Sequence, residues 1–123
     1  MIYITGDTHR DFARLCNLNF TEDDILIILG DVGINYYLNE DDRKLKARLN
    51  SLKLKLFCIQ GNHEERPENI DTYKEVNMFN GRVFIEEDYH NLIFAKNGEL
   101  YNINDKNILV LGGAYSIDKN YRI

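Results

Sequence analysis

Three short stretches of this sequence set metal-ligand side chains directly behind a glycine: Gly6-Asp7-Thr8-His9, Gly30-Asp31-Val32-Gly33 and Gly61-Asn62-His63-Glu64. Asp7 and His9 stand two residues apart where an apolar run gives way to loop, so both can turn toward one ion. Asp31 can bridge two ions through its carboxylate, and Asn62 offers a neutral carbonyl oxygen. A mixed oxygen and nitrogen donor set of this kind suits Mn²⁺, Fe²⁺, Zn²⁺ or Mg²⁺ rather than a thiolate centre. A glycine ahead of each polar residue lets the chain turn sharply and approach a bound group closely.

Each stretch also has a plainer reading. Asp7 can brace a helix start, His9 can be an exposed loop histidine, and Asp31 with Gly33 can be an ordinary turn. In "CIQGNHEE", residues 58–65, Asn62 and Glu65 have the spacing of a capping box. Pro67 argues against a helix there, because it lacks the N–H that an early turn needs and pushes Arg66 out of helical geometry. Glu64 reads as supporting structure. Recurrence favours the ligand reading, since all three clusters close an apolar run.

Those runs are "IYIT", "DILIIL" and "KLFCIQ", each ending at its glycine. The second is continuously apolar, as expected of a strand covered on both faces. Between the runs lie two helical patterns. Residues 11–18 place Phe12, Leu15 and Cys16 at helical spacing, with Thr8 and Asp11 as a capping pair. Residues 39–52 carry Asn39 as cap, acidic residues 40–42 in the first turn, and an apolar stripe of Leu45, Leu49 and Leu52. The alternation predicts parallel strands with crossover helices. In such open α/β sheets, ligands bind outside the carboxyl ends of the strands, where the three clusters fall.

After Pro67 the pattern changes to "RVFIEE", "HNLIFAK", "ELYNI" and "NILVLG". Asn97-Gly98 predicts a hairpin between the second and third of these, and residues 104–106 predict another. The chain therefore reads as α/β first and antiparallel β second, in a single domain over residues 1–123.

At 123 residues, 44% apolar and 28% charged, the composition is that of an ordinary globular domain. The formal charge of −5 lacks the basic surplus that drives nonspecific binding to phosphate backbones, without excluding a nucleic-acid substrate. No apolar run is long enough to span a bilayer, and residues 1–4 lack a signal peptide's basic segment. Cys16 and Cys58 read as buried reduced thiols, which places the protein in the cytoplasm.

"GDTH", "GDVG" and "GNHE", in that order and spacing, resemble the first three motifs of the calcineurin-like metallophosphoesterases. "LGGAYSIDKNYR", residues 111–122, resembles the stretch that follows the third motif in bacterial and phage-type members. The resemblance implies a partial αββα sandwich and divalent cofactors (Mn, Fe, Zn, Ni or Mg). It makes Asp7, His9 and Asp31 ligands of one metal, with Asp31 bridging to a second that Asn62 also binds. His63 would act near the leaving group as acid or electrostatic stabiliser, while water activated by the metals attacks a phosphate mono- or diester in line.

The chain also departs from the family pattern. Members carry further histidines, including a GHxH-type motif, whereas His9, His63 and His90 are the only histidines here. The first metal site is thus expected to be more complete than the second. Arg10 replaces the glycine that many members have; its guanidinium can bind a substrate phosphate bidentately, or can crowd the metal and repel it. His90, within a predicted strand, reads as a structural or surface residue. Sheet surface left uncovered by a short chain would favour a homo-oligomer or a protein partner. Two functions follow: a metal-dependent phosphoesterase, or a non-catalytic relative that has kept the scaffold as a binding or regulatory surface. A piece of a longer enzyme would have the same sequence features.

Overall fold

The apolar runs become strands in the computed structural model, which describes residues 2–6, 12, 18–30, 32–60, 65 and 67–111. Strands β1 (Ile2–Thr5), β2 (Ile25–Leu29), β3 (Lys55–Ile59), β4 (Tyr73–Met78), β5 (Gly81–Glu86) and β6 (Tyr89–Ala95) form one sheet in the order β1-β2-β3-β6-β5-β4. The first three and β6 run parallel, and β5 and β4 continue antiparallel. Strands β7 (Leu100–Ile103) and β8 (Lys106–Leu109) pair separately as a ribbon. One helix, α1 (Glu40–Asn50), is described, and the fold is mixed α/β. The predicted helix over 11–18 lies outside the described residues apart from buried Phe12 and exposed Leu18.

Helix α1 forms where its caps and charges dictate. The Asn39 side chain accepts the Asp41 N–H at 3.0 Å, three acidic residues occupy the first turn, and Arg48 sits in the last. At the other end Ser51 donates to Arg48 O, and Asn50 accepts two hydrogen bonds from Asn91 of β6, at its Oδ1 (2.9 Å) and its carbonyl (3.1 Å). The helix lays Leu49, with Leu45 and Leu52 beside it, over one sheet face, against Leu26, Ile28, Leu56, Leu92 and Phe94. The opposite face is covered by the ribbon, whose Tyr101 and Ile103 pack on Ile27, Phe57, Val83 and Ile93. Strand β2 is accordingly buried along four of its five residues, as its continuous apolarity predicts.

Two elements differ from the sequence reading. Asn97-Gly98 does form a turn, with Gly98 at φ +85° and Glu99 N–H on Lys96 O at 3.3 Å, but it closes no β6–β7 hairpin. Both edges of β6 are already taken by β3 and β5, so β7 must leave the sheet and pair with β8 over its face. The hairpin through residues 104–106 is present, with Asn104 and Asp105 in the left-handed region that a two-residue turn requires. Strand β4 has no clear signal in the sequence, because Lys74, Glu75 and Asn77 make it a polar edge strand without clear alternation.

Beside the apolar stripe, α1 buries Lys46 at 5% exposure, and its ammonium meets Glu86 of β5 at 2.6 Å. Thr72 donates to the other Glu86 oxygen, and the rings of Tyr73 and Tyr89 lie 5.3 and 5.9 Å from the ammonium. Removing one partner leaves the other charge largely buried and without its counter-charge. Glu86→Ala is therefore expected to lower unfolding free energy by about 3–5 kcal/mol, measured by urea denaturation. The double change Lys46→Met/Glu86→Leu is expected to recover most of that loss.

Candidate functional site

Parallel pairing brings three strand ends to one edge. Thr5 is in register with Ile28, and Leu29 with Ile59, so β1, β2 and β3 stop within a residue of one another. At about 4.8 Å between neighbouring strands, their ends span roughly 10 Å. The three glycine-led motifs leave from these ends. Asp7, His9, Arg10, Asp31, Asn62, His63 and Glu64 themselves lie outside the described residues. Among the described residues, no three His, Cys, Asp or Glu gather as a metal-binding group.

The turn before Asp31 is sharp. Gly30 has φ +83° and donates its N–H to Ile28 O at 3.1 Å, and Gly33 has φ +91°. Residues with a Cβ rarely adopt these angles, so glycine is required by the backbone there. Gly6 is different, since its φ is not positive and an added Cβ would meet nothing within 4 Å among the described residues.

The segments behind the motifs are firmly seated. Val32, Ile34 and Asn35 are buried, after which Tyr36, Tyr37 and Leu38 emerge at the surface with the two rings edge to face at 4.9 Å. Asn35 O accepts the Glu65 N–H at 3.1 Å, joining the segment after Asp31 to the segment after His63. The Asn35 side chain donates to the Tyr73 hydroxyl at 2.9 Å. Gln60, buried at the end of β3, donates through Nε2 to Glu68 Oε1 at 2.9 Å and to Ala95 O at 3.1 Å. Its carbonyl oxygen is buried and meets no hydrogen-bond donor among the described residues. In place of the capping helix, Pro67 starts a single 3-10 turn, Pro67–Asn69, and Asn69 donates to the Glu65 carboxylate at 2.9 Å.

Asn35, Gln60, Glu68 and Tyr73 escaped the sequence reading. The available signal was an amide closing an otherwise apolar run at Gln60, and another following Ile34. His90 lies exposed on β6, and Cys58 is a buried reduced thiol. A cleft of about 440 Å³ beside Lys46 and Glu86 contains none of the strand-end residues.

The calcineurin-like phosphoesterase family model matches residues 1–123. The chain belongs to that family. No curated protein and no solved structure matches it. The calcineurin-like fold is present as the mixed sheet with a helix on one face and the start of a second β layer on the other. Among the described residues no helix is long and apolar enough to cross a membrane.

Tyr73 couples the site's frame to pH. Burial, reinforced by the nearby Glu86 carboxylate, pushes its hydroxyl far above the usual phenol range. Its contribution to stability is present in full below about pH 10, where the unfolded chain begins to ionise, and is lost as pH rises toward the folded-state value. Burial raises Tyr101 in the same direction. Urea titrations from pH 8 to 11.5 are expected to show stability falling by up to about 1.4 kcal/mol per pH unit for each such tyrosine. Tyr73→Phe should remove one share of that slope, while costing about 1 kcal/mol at neutral pH through the lost Asn35 hydrogen bond.

Proposed function

We propose that this member of the calcineurin-like phosphoesterase family hydrolyses phosphate mono- or diesters with divalent metal ions held at the carboxyl ends of β1, β2 and β3. The observation that carries the reading is the shared level of those ends, in register at Thr5–Ile28 and Leu29–Ile59. Three motifs with oxygen and nitrogen donors issue from one edge about 10 Å wide, the scale on which one or two ions can be shared.

The donor types fit such ions. Asp7, His9 and Asp31 would hold one, Asp31 and Asn62 the second, and all are ligands that Mn²⁺, Fe²⁺ or Zn²⁺ accepts. Bound ions would supply charge for the phosphoryl oxygens and acidify a water. The chain's own groups do the rest. Arg10 offers a planar pair of donors to the phosphate and so orients it. His63, beside the second-ion ligand, would give a proton or a hydrogen bond to the departing oxygen. The tight Gly30 turn fixes the direction in which the chain enters Asp31.

The purified protein with added Mn²⁺ is expected to cleave a generic aryl phosphate mono- or diester and to retain at least one equivalent of metal per chain. Asp31→Ala should reduce the rate by more than roughly a hundredfold, beyond what loss of an outer-shell partner costs. An unchanged rate in Asp31→Ala would sink the metal mechanism.

A further inference from the structure

Tyr36, Tyr37 and Leu38 stand in the open at 56%, 56% and 53% exposure, directly after the buried run that ends at Asn35. Two aromatic rings and a leucine in sequence make an apolar spur. Leu38 is also strained in its backbone, with φ of +56° in the left-handed region that bulky residues rarely adopt. The buried Asp42 carboxylate holds it there by accepting the Leu38 N–H at 2.6 Å. Glycine would take this backbone freely, so the strain is tied to the side chain that is presented.

Leu38 borders the cleft of about 440 Å³ between α1 and the turn that leads into β4. That volume falls within the range of clefts that take up a ligand. Five carboxylates and three cations line it. Two of the cations are already matched, Lys46 by Glu86 and Arg43 by Glu40, which lies outside the cleft, at 2.7 Å. Lys74, 3.8 Å from Glu87, is the third. Asp42 and Glu86 are buried, whereas Asp71, Glu87 and Asp88 are exposed on the rim. The rim is therefore negative, and it adjoins two tyrosine rings whose faces also attract cations.

We propose that the spur of residues 36–38 and the acidic cleft form a docking surface for an extended segment of a partner protein that carries lysine or arginine between apolar residues. Charge complementarity selects this occupant: basic side chains meet Asp71, Glu87 and Asp88 while apolar ones pack on Tyr36, Tyr37 and Leu38. Aromatic anchors beside a charged rim are the usual anatomy of such a surface. A second copy fits less well, because a chain of formal charge −5 would set like charges together. The surface lies apart from the strand-end edge and does not depend on the phosphoesterase reading.

The test is fluorescence anisotropy of a short labelled peptide alternating arginine with leucine, titrated with the intact protein. A second peptide alternates glutamate with leucine. The arginine peptide is expected to bind, more weakly as salt is raised, and the glutamate peptide is not. Tyr36→Ala/Tyr37→Ala and Asp71→Asn/Asp88→Asn should each weaken binding about tenfold. Leu38→Gly should weaken it too while leaving the melting temperature at or above the wild-type value, since glycine accepts the φ without strain. Glu22→Gln, exposed near the other end of α1, should leave affinity within about twofold. No binding of the arginine peptide, or equal binding of both peptides, would overturn the proposal. So would wild-type affinity in both double variants, or a loss in Glu22→Gln as large as in the rim variant. A dimer in sedimentation that Tyr36→Ala/Tyr37→Ala dissolves would assign the surface to a second copy instead.

Discussion

Everything else in the structure depends on the parallel register of β1, β2 and β3. Parallel strands cannot be joined by tight turns, so each connection must cross the sheet and return the chain to the same starting end. The consequence is that successive strands finish side by side. Register is also what the hydrophobic pattern enforces most strongly, because a slip of one residue would turn every buried side chain of a strand to the other face. With β2 buried on both sides, that error would cost both faces at once. The same burial that stabilises the sheet thus keeps the three motif-bearing ends level.

A sheet buried on both faces needs two covers, and they are held differently. On one side α1 is fixed by its caps, by Leu49, and by the Lys46–Glu86 pair reaching down to β5. On the other, the ribbon hangs on Tyr101. Its ring stands edge to face against Phe57 at 5.0 Å, and its hydroxyl takes the Lys96 N–H at 2.8 Å while donating to Arg82 O. Gly81 makes that seat possible, since an added Cβ would fall 2.7 Å from the Tyr101 ring. A buried phenol with both hydrogen bonds made fixes the ribbon's position, where apolar contact alone would leave it free to slide.

The strands covered on both faces were the easiest to read, because continuous apolarity leaves few alternatives. Caps and left-handed turns were legible for the same reason: Asn39 and the pair at 104–105 act through local chemistry. Strand β4 and the fate of β7 were not, since both depend on which edges are already occupied. Asn97-Gly98 specifies a turn, but no local signal reports that β6 already has two partners. The site followed the same division. Its donor types stand in the sequence and the levelled strand ends follow from the topology, whereas the hydrogen bonds around Gln60 and Asn35 join residues up to 38 apart and leave no periodic trace.

The two buried amides show where stability alone was not the criterion. At the end of β3 a leucine or methionine would extend the apolar run and avoid the desolvation of an amide carbonyl, which costs about 1–3 kcal/mol when it goes unmet. The chain instead buries Gln60 there and Asn35 on the adjoining segment. Departures from apolar filling tend to concentrate where a site has to be held in one geometry. The Lys46–Glu86 pair differs, because it closes on itself between a helix and a strand. Gln60 and Asn35 spend their hydrogen bonds on Glu68, Ala95 and Tyr73, and the Asn35 carbonyl spends one on Glu65. These bonds converge on the segments that follow β2 and β3. Among the described residues, the two buried amides therefore lie beside the level edge that the parallel register creates, apart from the self-contained Lys46–Glu86 pair.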